Sequence, residues 1–107
     1  MNHLAALAAN NAMVLQGQPC LIVDHLKPLD EPKAATCIAR PSVAETFGER
    51  ISGENYDVTV LRENKMRVSD EVHLLDEEGE VESVLVITKP SQSLTAMRVY
   101  IAIPKKV

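Results

Sequence analysis

Three histidines, two cysteines and one acidic run are the residues of this chain best equipped for chemistry. His3, His25 and His73 do not stand three or four positions from one another or from a cysteine. The separation of His25 from Cys20 and Cys37 is not a zinc spacing, so all three histidines read as surface or structural residues. Asp76-Glu77-Glu78-Gly79-Glu80 lacks the alternating oxygen ligands and distant Glu of a calcium loop. It reads as a solvated hairpin turn whose charge also discourages edge pairing. Cys20 or Cys37 with His25 is the nearest approach to a nucleophile and base. A reactive thiol needs an exposed, electropositive setting, whereas Leu21-Ile22-Val23 and Ile38 point to burial. The four glycines are scattered, which excludes a phosphate-cradling loop. Glu45 and Glu49 would share a helix face, at a spacing found throughout proteins. No catalytic set, cofactor or metal is expected, and the chain does not read as an enzyme.

The elements that must position these residues belong to one domain, since 107 residues suit a single core. Apolar residues make up 46% of the chain, yet there is no Trp, one Phe and two Tyr. The interior must be built from aliphatic side chains, with little material for an aromatic pocket or a base-stacking platform. A net charge of −4 opposes binding to nucleic acid, and Lys105-Lys106 reads as a solubilising end. Cys20 and Cys37 are expected as buried, reduced thiols, although a disulfide between adjacent strands is the alternative. No secretion signal or membrane span is evident, so a cytosolic setting is expected.

Asn2–Leu15 is rich in Ala and Leu, with Leu4 and Leu7 at helical spacing and Asn2 placed to cap. A helix this short needs something to dock on. Gln16-Gly17-Gln18-Pro19 reads as a turn, Cys20–Asp24 as a strand, His25–Lys33 as a loop and Ala34–Arg40 as a second strand. Asp57–Leu61 alternates as a third. At Ser69-Asp70-Glu71 a capping residue and two acids suggest a short helix from Asp70. An extended segment with Val72 and Leu74 on one face is the rival. Val81–Thr88 and Met97–Ile103 are two β-branched strands joined by a polar connector, Lys89–Ala96, with Val99, Ile101 and Ile103 on one face of the last and Arg98 and Tyr100 opposite. The sum is an α+β chain: a short N-terminal helix (1–15), then a small, mainly antiparallel β-barrel or two-sheet sandwich (16–107) with a mobile loop at about 42–56.

Met66-Arg67-Val68-Ser69-Asp70-Glu71-Val72-His73-Leu74, followed by the two closing strands, resembles the small head–tail joining (connector) proteins of long-tailed bacteriophages and prophages. In those proteins a helical segment precedes a small β-barrel with a long mobile loop. Where that family turns into its hairpin through a Gly-Asp pair, this chain has Glu78-Gly79-Glu80. The resemblance implies a virion structural protein that assembles into a ring between head and tail through protein contacts. Its partners would be the head connector, the tail tube and its own copies. It implies a contact helix bearing Leu4 and Leu7, and an interface loop bearing Val43, Phe47, Arg50 and Tyr56. Edge strands would serve the same assembly. The subunit would be a monomer until assembly, found in the host cytoplasm and then in the virion, not secreted and not bound directly to DNA. The alternative is a cytosolic β-domain that binds a protein partner without catalysis, with a cysteine hydrolase as a third reading.

Overall fold

A computed structural model describes residues 3–27, 29–41, 55–93 and 95–105. One helix, α1 (His3–Gln16), precedes six strands: β1 (Gln18–Val23), β2 (Lys33–Pro41), β3 (Tyr56–Leu61), β4 (Glu71–Leu75), β5 (Val81–Ser93) and β6 (Met97–Pro104). The strands form a closed antiparallel barrel in the order β1-β2-β3-β6-β5-β4. Two three-stranded meanders, β1-β2-β3 and β4-β5-β6, are thus joined along two seams, β3 with β6 and β1 with β4. The sheet curls onto itself instead of splitting into a sandwich. Closure pairs every strand on both sides over part of its length, so free edge is confined to stretches such as the distal half of β5.

Alternation puts one face of each strand inside. Cys20, Cys37, Val58, Val60, Val72, Leu74, Leu85, Ile87, Tyr100 and Ala102 form one buried cluster, capped by Met66. Aliphatic side chains of this kind each contribute about 1.5–3 kcal/mol when fully buried. Tyr100 is the aromatic in this cluster, and its hydroxyl accepts the Met66 backbone N–H at 2.9 Å. That bond pulls the β3–β4 connection across one end of the barrel, where Asn64 is also buried.

Two local expectations are corrected, and the alternation expected in the last strand holds. The segment from Glu71 is β4, with Val72 and Leu74 inside, and no helix begins at Asp70. β5 runs for 13 residues to Ser93, absorbing most of the connector expected at 89–96. Pro90 is tolerated because β4 pairs with β5 only as far as Val86, leaving the distal half bonded on one side, to β6. Bulges between Ile87 and Lys89 and between Pro90 and Gln92 flank it. In β6 the Tyr100 and Ala102 face turns inward, and Val99, Ile101 and Ile103 lie on the outer face. Pairing of Val58 with Tyr100 and of Tyr56 with Ala102 fixes this parity.

The turn expected at Gln16–Pro19 is compressed to Gly17 alone, between α1 and β1. Gly17 N–H donates to Met13 O at 3.0 Å. A Cβ at this position would sit 2.5 Å from that carbonyl and 2.5 Å from Thr36 Cγ2 of β2. Only glycine lets the helix end lie against β2 this closely. Gly17→Ala is therefore expected to cost about 1–3 kcal/mol and to loosen α1 from the barrel. A thermal melt and hydrogen exchange along 3–16 would check this; unchanged protection of α1 would contradict it.

Candidate functional site

The stretch 66–74 folds around a buried carboxylate. Asp70 is 4% exposed. Its Oδ1 accepts the His25 backbone N–H at 3.0 Å and lies 2.6 Å from His25 Nδ1, while Oδ2 accepts the Arg67 N–H at 2.8 Å. Its backbone is equally engaged. Asp70 O accepts Ile87 N–H at 2.9 Å, and Ile87 O accepts Ser69 N–H at 2.8 Å. To make both contacts Ser69 takes φ +83°, the left-handed region that a side chain disfavours. One carboxylate thus fastens the β1–β2 connection to the β3–β4 connection, beside β5. Burial works against the charge on Asp70. The bonds from the His25 ring, the His25 backbone and the Arg67 backbone outweigh it and hold the carboxyl below its ordinary range.

Asp24 stands beside this clasp. One oxygen accepts Leu26 N–H at 2.8 Å and the other meets Arg67 Nη2 at 2.9 Å. Asp24, His25 and Asp70 place three metal-ligating atoms within 4.8 Å of one another. The cluster is satisfied from within, because Arg67 and His25 already occupy its acceptors. The 2.6 Å contact between His25 Nδ1 and Asp70 Oδ1 is also shorter than the roughly 3 Å between neighbouring ligands of an ion held at about 2.1 Å. The chemistry is that of a hydrogen-bonded fastener.

Glu71, the next residue, faces outward between Lys105 Nζ at 2.7 Å and His73 Nε2 at 2.9 Å. Lys105 and then His73 hold its carboxyl below the ordinary range. On another side of the barrel, Gly17, Gln18 and Pro19 meet Leu75–Glu78 and Glu82 in an open groove. Its carboxylates, Asp76, Glu77, Glu78 and Glu82, are accompanied in the lining by no histidine, cysteine or lysine, so it offers charge without a nucleophile. Gln18 Nε2 braces it, donating to Leu75 O at 3.3 Å and to Glu82 Oε1 at 3.0 Å.

Cys20 and Cys37 are free thiols, both buried inside the barrel on adjacent strands. Cys20 pairs with Ala35 and Cys37 with Gln18, so the two cysteines are diagonal neighbours. The contact between the thiols lowers Cys20 and, together with burial, raises Cys37. The His25 ring, the base they would need, is held by Asp70.

Of the expected interface residues, the side chains of Leu7 and Tyr56 are among the described ones. Leu7 projects from α1, 56% exposed, with Val14 at 81% and Leu15 at 80%. Tyr56 begins β3 and packs half-buried against the core. The side chain of Leu4, and Val43, Phe47 and Arg50 with the rest of the loop at 42–54, lie outside the described residues. The clasp has no counterpart among the sequence expectations. His25 and Asp70 are far apart in the chain, and only barrel closure makes them neighbours.

These features define a small closed β-barrel with an apolar helix against β2 whose Leu7, Val14 and Leu15 are exposed, and a buried carboxylate clasp at the β1–β2 connection. No protein-family model matches the chain, and no curated protein does. Among the described residues no helix is long and apolar enough to cross a membrane.

Proposed function

We propose that this chain is a virion structural subunit of a phage or prophage, a head–tail joining protein that assembles into a ring through protein contacts. The observation that carries the reading is the pairing of a small closed barrel with a helix that leans on β2 and leaves Leu7, Val14 and Leu15 in solvent. A helix of 14 residues is marginal alone, and apolar side chains that the described residues leave uncovered suit a subunit whose stability is completed by neighbours. The resemblance at 66–74 supplies the family, and the clasp gives that stretch a physical role, since it fixes where the β1–β2 connection lies. Closure of the barrel favours docking through side chains over strand addition. The acidic groove and the net charge of −4 keep such a ring from adhering to DNA passing through it.

Disruption of the gene in its own host, followed by electron microscopy of released particles, tests this. Filled heads and separate tails, rejoined when the purified protein is added, are expected. Complete particles, or a host that releases none under any induction, would sink the reading and leave the protein-binding domain in its place.

A further inference from the structure

Around an ideal helix Leu7 and Val14 fall within about 20° of one another, with Asn11 about 40° away and Met13 about 120° away. Met13 is buried, whereas Leu7, Asn11, Val14 and Leu15 are exposed. Among the described side chains, the barrel therefore takes Met13 and leaves the edge bearing Leu7, Asn11 and Val14 in solvent. Positions 4, 7, 11 and 14 are spaced three, four and three apart, the seam of a two-helix contact. Leu, Leu, Asn and Val occupy them in turn, and a single polar Asn within an apolar seam is a known means of fixing register.

What covers this seam is indicated by charge. His3–Gln16 contains no Asp, Glu, Lys or Arg, although the chain carries 26 such residues, 11 basic and 15 acidic. Two copies with net charge −4 repel across most of their surfaces. They meet without repulsion along α1. A charged partner would find no counter-charge there.

We infer that α1 is a self-recognition element: the seam of one copy packs on the seam of a second copy, with Asn11 facing its counterpart. Asn11 lies at the middle of the stripe from Leu7 to Val14, so the two side chains meet whichever way the helices run. The contact is isologous and closes at two copies, so it joins subunits in pairs and a ring would need a second interface. It is also small, well below the 1,200 Å² or so of a standard stable interface, so pairing is weak and depends on concentration. It does not depend on the joining reading, because it requires only the helix and its exposed face.

Sedimentation of the full chain from about 10 μM to about 1 mM tests it, a range that brackets a weak contact. The mass is expected to rise from 11.7 kDa towards that of two chains. Val14→Asp, at a position without packing partners to lose, should hold the protein at one chain throughout with an unchanged melt. Asn11→Leu should tighten pairing about tenfold or raise the copy number, as the loss of a polar seam residue does. A wild-type protein that stays at one chain up to the highest concentration overturns the inference. So does a dimer that Val14→Asp leaves intact. Either outcome leaves the particle phenotype of the gene disruption untouched.

Discussion

Ile87→Ala is expected to lower the unfolding free energy by about 3 kcal/mol, the scale of a large-to-small change in a packed core. Ile87 is 1% exposed and lies where three features meet. Its side chain belongs to the central cluster. Its backbone exchanges bonds with Ser69 and Asp70, and a bulge follows it, before Lys89. The surrounding strands form a closed ring with little room to collapse into the vacated space. Urea unfolding followed by far-ultraviolet circular dichroism reads the change as a lower midpoint at constant slope. A loss below about 1 kcal/mol would mean that the barrel is less tightly packed than its burial indicates.

Asp70→Asn is expected to cost about 2–4 kcal/mol near neutral pH, since it removes the charge from a buried and fully bonded carboxylate. An amide also offers one acceptor oxygen where the carboxylate offers two, so either His25 or Arg67 loses its partner. The pH dependence follows from the direction of the shift. A carboxyl held below its ordinary range in the folded state contributes stability that is fully present above the unfolded value. That contribution is lost as pH falls through the lowered folded value. The gap between wild type and variant should thus be constant from about pH 5 to neutrality and shrink below about pH 4. Glu71, also lowered, adds to the acid sensitivity of both proteins equally. A gap that stays the same down to about pH 2 would rule out the clasp as an electrostatic fastener.

Local signals carry much of the architecture. The Ala- and Leu-rich start forms α1 over nearly the expected span, and Asp57–Leu61 alternates as β3 does. Gly79 takes φ +83° in the acidic turn, where glycine's freedom is needed. What local signals leave open depends on pairing across distance. Ser69-Asp70-Glu71 has the composition of a helix start, but the Asp70 carboxylate bonds Arg67 N–H, three residues back, and His25 from another strand connection. In β6 the β-branched residues are Val99, Ile101 and Ile103, yet Tyr100 and Ala102 point inward because β3 sets the register. A small barrel has room at that layer for an Ala and for one ring whose hydroxyl finds Met66. Pro90 reads as a strand breaker until the distal half of β5 is seen to pair on one side, with β6.

The candidate site is legible in part. Leu7, expected on the contact helix, is exposed, and Val14 and Leu15 extend that face although the sequence reading does not single them out. Their signal is present in the seam spacing from Leu4 to Val14. The clasp has no such signal, because neither Asp24-His25 nor Ser69-Asp70 announces a partner in the other segment. The thiols, expected as buried and reduced, are buried and free.

Barrel closure has a consequence for how the molecule is made. β1 finds its second partner in β4, and β3 finds its own in β6. While the chain emerges from the ribosome, the β1-β2-β3 meander has both flanks waiting for strands not yet synthesised. Contacts between segments so distant in sequence are slow to form, because the intervening loop must first lose its freedom. The nascent protein is thus most adhesive midway through translation: β4 can cover the β1 flank once it emerges, whereas the β3 flank stays open until β6 arrives, last of the strands.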